Sequence, residues 1–146
     1  MRILPAVWTS GFLAAQVLLT RGAGGPKRTL GSSVIGGAFV AAGAVVAIEG
    51  VRELAAGRTT LDPRRPEESR TLVTSGIYER TRNPMYLGIA LALTGTALMS
   101  GRRRNLLTVP AAMMALMPQI DTEEMALIDA FGVDFIEYQQ RTPRWL

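Results

Sequence analysis

Two stretches of the chain set ionisable and hydrogen-bonding side chains directly against apolar runs. The first is Thr71-Leu72-Val73-Thr74-Ser75-Gly76-Ile77-Tyr78, resumed four residues later by Arg82-Asn83-Pro84-Met85-Tyr86-Leu87-Gly88; the second is the adjacent pair Glu123-Glu124. Polar groups at such borders are costly to bury without partners, so each must serve as an anchor or as part of a site. The chain holds no histidine and no cysteine. That excludes thiolate nucleophiles, disulfides and thiolate-ligated metals, and removes the commonest general base and zinc ligand. Carboxylates, tyrosines and backbone groups remain for acid/base work and cation recognition. Each cluster also has a plain structural reading. Arg82 beside Pro84 suits an interfacial anchor at a helix start, and Glu123-Glu124 suits the first turn of a helix, where the dipole favours acids.

The elements that must carry these residues follow from hydropathy. Nearly half of the 146 residues are hydrophobic, at 48%, and mean hydropathy is positive at +0.20. This composition points to a single all-α domain, residues 1–146, built as a polytopic membrane protein with about four transmembrane helices. Residues 3–20 carry no charge and extend for about 27 Å as a helix, close to a hydrocarbon core. Arg2 and the small residues Ala23-Gly24-Gly25 give this run a competing reading as a cleaved signal peptide, which the further apolar spans disfavour. Residues 30–48 form a second span, with Ser33, Gly37 and Ala41 at four-residue spacing as the expected close-packing face. The first two membrane helices together occupy residues 1–48, and residues 61–146, which hold the polar clusters, are the part expected to bind a ligand and carry the chemistry. Residues 85–100 and 106–120 are short enough to form a helical hairpin, bent at Pro110 and Pro118 to leave room for a cavity near one membrane face. From 123 to 140 apolar residues recur at helical spacing between acids, which predicts an amphipathic helix at the membrane surface that Gly132 can divide in two.

The net charge of +4 comes from 16 Lys and Arg against 12 Asp and Glu. Basic residues lie between apolar runs, interleaved with acids and without aromatic platforms for bases, so nucleic acid is not an expected partner and membrane lipids are. More Lys and Arg fall on the side of the N-terminus, residues 52–82 and the C-terminal tail, which predicts that this side faces the cytoplasm.

The two clusters, taken in order, resemble the isoprenylcysteine carboxyl methyltransferase family and the wider group of small membrane methyltransferases that includes phospholipid methyltransferases. The resemblance runs through Leu72-Val-Thr-Ser-Gly-Ile-Tyr78, Arg82-Asn-Pro-Met-Tyr-Leu-Gly88 and Glu123-Glu124-Met-Ala-Leu-Ile-Asp-Ala-Phe131-Gly132, and closes with Tyr138 and Arg141-Thr-Pro-Arg144. It implies S-adenosylmethionine as cofactor, bound by Arg70, Thr71, Leu72, Val73, Tyr78, Asn83, Pro84, Met85, Tyr86, Glu123 and Glu124. Arg82, Tyr86 and Glu124 are the implied catalytic residues, with Arg141 and Arg144 toward a lipophilic small-molecule or lipid-anchored acceptor. Where many members carry His, this chain has Asn83; where many carry an arginine shortly before the acidic pair, it has Met117-Pro118-Gln119-Ile120.

The chemistry agrees with that implication. The cofactor's sulfonium and amino groups are cationic and suit carboxylates and tyrosine faces, while its carboxylate suits Arg82. Methyl transfer is an in-line displacement, so alignment and exclusion of water do most of the work, and an ionised carboxylate acceptor needs no base. Two other classes compete: a non-catalytic membrane scaffold, and a small four-helix multidrug-type transporter. The transporter would need a mid-helix carboxylate, whereas Glu49 lies at a span end.

Overall fold

The computed structural model describes residues 5–21, 28–57 and 71–146, with side chains of the first helix described over Ser10–Leu19. Among these residues all regular structure is helical. Helix α1 spans Pro5–Arg21, α2 Leu30–Ala56, α3 Pro84–Met99, α4 Thr108–Phe131 and α5 Val133–Arg141, with 3₁₀ turns at Gly76–Glu79 and Arg103–Leu107.

Helix α2 starts at a reciprocal cap. The Thr29 hydroxyl accepts from the Ser32 amide at 3.1 Å, and Ser32 Oγ accepts from the Thr29 amide at 3.2 Å, which satisfies two donors that a helix start leaves open. Its 27 residues have a mean hydropathy of 2.0 over the best window, and by length and composition α2 alone among the described helices can cross a membrane. The apolar stretches Ser10–Leu19 and Pro84–Met99 are shorter. Of the about four spans expected, one described helix has full spanning length, and α1 and α3 carry shorter apolar stretches.

The packing face of α2 differs from the expected one. Gly36, Gly43 and Gly50 are its buried residues, and they meet α3 in antiparallel order: a Cβ on Gly36 would stand 2.5 Å from the Gly95 carbonyl oxygen, one on Gly43 2.6 Å from that of Gly88, and one on Gly50 3.0 Å from Pro84. The reverse contacts match, with Gly88 against Gly43 and Gly95 against Gly36. Gly37, on the Ser33/Gly37/Ala41 row, has nothing within 4 Å of such a Cβ. Seven-residue spacing tracks two full turns and keeps one seam toward a straight partner, whereas a strict four-residue row drifts around the helix. The seam brings backbone against backbone, so dispersion and Cα–H···O contacts replace side-chain interdigitation.

Helices α3 and α4 form the expected hairpin, joined through the 3₁₀ turn Arg103–Leu107. Helix α4 is longer than the 106–120 run. It continues through both prolines to Phe131, because Pro110 lies in its first turn and the missing donor at Pro118 leaves the rest of the ladder intact. The run 123–140 is accordingly not one terminal helix. Its first part is the end of α4, and Gly132, at φ +56°, turns the chain into α5. The apolar side of α5 is turned inward: Phe135 and Tyr138 are buried with Tyr78, and Leu54, Leu72, Val73, Ile77 and Phe131 pack around them. Val133 and Ile136 remain exposed.

Candidate active site

The polar clusters converge at the N-terminal end of α3. Pro84 occupies the first turn of that helix and packs on Gly50 of α2, so Arg82 and Asn83 sit at its mouth and Tyr86 one turn inside. The antiparallel hairpin then lays the acidic stretch of α4 beside that end. Tyr86, 3% exposed, donates its phenolic hydrogen to Glu123 Oε1 at 2.7 Å. Gln119, one helical turn before Glu123, donates from Nε2 to both the Tyr86 hydroxyl at 2.9 Å and Glu123 Oε1 at 3.0 Å.

Glu124 points to a different set of partners. It is a buried carboxylate that accepts from Arg144 through Nη2 at 2.6 Å and through Nε at 3.2 Å, and from Gln139 Nε2 at 3.4 Å. Arg82 Nη1 lies 3.4 Å from Glu124 Oε1, near enough for an ion pair but without hydrogen-bond alignment. Arg82 Nε and Nη1 are buried and have no hydrogen-bond partner among the described residues. Buried guanidinium donors left open are expensive, so this geometry is suited to an incoming acceptor.

The C-terminal segment closes over this end of the bundle. The Arg82 amide donates to the Pro143 carbonyl at 3.0 Å, while Thr81 Oγ1 and Asn83 Nδ2 donate to the Arg144 carbonyl at 3.1 and 3.3 Å. Trp145 packs on the cluster of Tyr86, Leu116 and Ile120. Arg144 also meets Asp121 at 2.9 Å, and its two acidic partners hold its guanidinium charged. Tyr138 donates to the Tyr78 carbonyl at 2.7 Å. Burial pushes both phenols well above their ordinary value of 10.0; for Tyr78 the neighbouring Tyr138, Glu123 and Glu53 act in the same direction, and for Tyr138 the Arg82 charge opposes the shift.

Of the residues expected at the site, Tyr86 meets Glu123, Arg82 meets Glu124, and Asn83 reaches the carbonyl of Arg144, whose side chain holds Glu124. Tyr78, Leu72 and Val73 form the apolar cluster behind them, where Val73 closes on Gly57 at the end of α2. Thr71 is exposed, Met85 faces α2 near Gly50, and Arg70 lies outside the described residues. Arg141 is exposed, whereas Arg144 is tied to Glu124 and Asp121. Sequence reasoning passed over Gln119, although its place four residues before Glu123 puts both on one helix face. It also passed over Glu53, which accepts from Ser75 Oγ at 2.8 Å and lies against Gly76, whose φ of +60° is a backbone conformation that L side chains rarely adopt.

The family model for phospholipid methyltransferases matches residues 32–134. Curated relatives are protein-S-isoprenylcysteine O-methyltransferases: that of Xenopus laevis is 34% identical over 54% of this chain and 28% of its own length, and that of Schizosaccharomyces pombe 33% over 49% and 31%. The B form from Arabidopsis thaliana is 33% identical over 62% of this chain and 47% of its own length. The chain thus spans less than half the length of each relative. No solved structure matches it.

Proposed function

We propose, from the fact that the chain belongs to the phospholipid methyltransferase family, that it is a membrane methyltransferase using S-adenosylmethionine to methylate a lipophilic acceptor of the isoprenylcysteine-carboxylate, lipid or small-thiol kind. The observation that carries this reading is the meeting of Tyr86 on α3 with Glu123, and of Arg82 just before α3 with Glu124, residues far apart in sequence and joined only by the fold. The open donors of buried Arg82 fit the carboxylate end of the cofactor. Glu123, Glu124 and the Tyr86 ring fit its cationic groups.

When bound, the cofactor supplies a methyl group on a positively charged sulphur. The chain's part is to align and to shield. Gln119 and Glu123 hold the Tyr86 hydroxyl in one orientation, and Arg144 holds Glu124, so neither group must reorganise as charge moves during transfer. The strap of 142–146 with Trp145 covers the site and keeps water from it. An acceptor carboxylate needs no base. For an amine or thiol acceptor, Glu123 is the group within reach to take a proton, through Tyr86.

In this reading α1, α3 and the apolar part of α4 join α2 within the bilayer as a multi-pass bundle, with Arg82 and Glu124 at the cytoplasmic surface and the acceptor entering between helices. Exposed Val133 and Ile136 on α5 contact the interface. The transporter alternative loses ground because Glu49 pairs at 2.9 Å with Arg52 on the helix surface. Purified protein in detergent should bind S-adenosylhomocysteine, and Tyr86→Phe and Glu124→Gln should each weaken binding about tenfold, or about 1.4 kcal/mol. Absence of binding to the unsubstituted protein at millimolar ligand rejects the reading.

A further inference from the structure

The opposite end of the bundle holds a second feature that the methyl-transfer site does not use. A cavity of about 380 Å³ opens where α1, α3 and the α3–α4 turn meet, within the range of about 300–1,000 Å³ usual for small-molecule sites. Its walls are apolar, from Leu13, Val17 and Met99, and its floor is polar, from Gln16, Thr96 and Asn105. That floor is rigid. Gln16, 4% exposed, donates to the Leu93 carbonyl at 2.9 Å and to Thr108 Oγ1 at 2.7 Å, and accepts from Thr96 Oγ1 at 2.7 Å. Fully buried Asn105 donates to Ser100 Oγ at 2.9 Å.

Charge at this end is one-sided. Arg28 lines the cavity, Arg102, Arg103 and Arg104 occupy the adjoining turn, and Arg104 reaches back to the Leu19 carbonyl on α1. Among the described residues the cavity has no acidic lining residue, and the described acids lie on the second half of α2, near the start of α3, on the second half of α4 and on α5. The positive end of the α2 dipole, starting at Leu30, adds to the same field. A compartment with apolar walls, a polar floor and a cationic mouth is complementary to an amphiphile with an anionic head.

We infer that this cavity is a binding site for an anionic phospholipid of the surrounding bilayer, with its phosphate at Arg28 and its upper acyl chain along Leu13, Val17 and Met99. It is separate from the methyl-transfer site, since Tyr86 and Thr96 are about 15 Å apart along α3. Its occupant ties α1 to the α3–α4 hairpin, which the floor hydrogen bonds already join. The inference uses the membrane assignment but not methyl transfer.

The test is thermal unfolding of the full chain in detergent with added dioleoylphosphatidylglycerol, dioleoylphosphatidylcholine or inorganic phosphate. Phosphatidylglycerol should raise the melting temperature by about 2–4 °C, and the other two should not. Arg28→Gln, which removes the lining cation, and Val17→Phe, which enlarges a wall residue into the cavity, should abolish most of that shift. Arg80→Gln, equal in net charge change but at the far end, should keep it. Equal stabilisation by phosphatidylcholine or by phosphate alone overturns the inference, as does a full shift in both cavity variants or an equal loss in Arg80→Gln. S-adenosylhomocysteine binding by the same preparations reads the methyltransferase assignment separately.

Discussion

At the scale of single residues two adjacent carboxylates have different partners, Glu123 with Tyr86 and Gln119, and Glu124 with Arg144. Gln119 bridges Tyr86 and Glu123 through one amide nitrogen, so Gln119→Leu should leave the fold in place and weaken S-adenosylhomocysteine binding about three- to tenfold, as titration calorimetry would read. An unchanged affinity would remove Gln119 from the site. The Tyr138 phenol offers a pH signature. Its pKa in the folded chain is raised above the unfolded value of 10.0, so the neutral form is favoured by folding, and the stability this gives is present below pH 10 and lost as pH rises further. Tyr138→Phe should lower the melting temperature at pH 8 through the lost bond to Tyr78, and should flatten the decline above pH 10. A decline of unchanged steepness would show that this phenol is not the titrating group.

At the scale of helices the decisive contact is the glycine seam. A Cβ on Gly95 would stand 2.4 Å from the Gly36 carbonyl oxygen, an overlap with backbone that no side-chain rotation relieves. Gly95→Ala should therefore destabilise the protein by about 1–3 kcal/mol and loosen the end of α3 from the start of α2. Gly37→Ala, one residue from the seam and with open space around it, should be neutral or slightly stabilising through helix propensity. Detergent unfolding of the two variants distinguishes the seven-residue seam from the four-residue row: equal destabilisation would mean that both faces pack. The sequence shows glycines in abundance but not which ones touch, because that depends on the rotation of α2 about its axis, and rotation is set by the partner.

At the scale of the whole molecule, the last five residues bind the two ends of the chain's chemistry together. Pro143 and Arg144 carbonyls receive the donors of residues 81–83, the Arg144 guanidinium grips Glu124, and Trp145 lies on the Tyr86 cluster. Removing residues 142–146 should abolish S-adenosylhomocysteine binding, while circular dichroism retains the helical content of α2 and α3. Binding that survives the truncation would make the strap dispensable.

Much of the candidate site was legible in residue types alone. An Arg-Asn-Pro opening to an apolar run and a paired glutamate after another run have few reasons to coexist, and lack of histidine and cysteine narrows the chemistry further. Helix existence was equally plain, because long apolar stretches with a proline or a hydroxyl cap at their starts and glycine at their ends permit little else. Tertiary structure alone decided that Tyr86 is paired to Glu123 and not Glu124, that Arg144 serves as a clamp on Glu124, and that α4 runs unbroken through Pro118. Those outcomes turn on which helix faces meet and at what height. A period of 3.6 residues marks an apolar face, but the azimuth and register of two such faces are fixed only by the shape of both together.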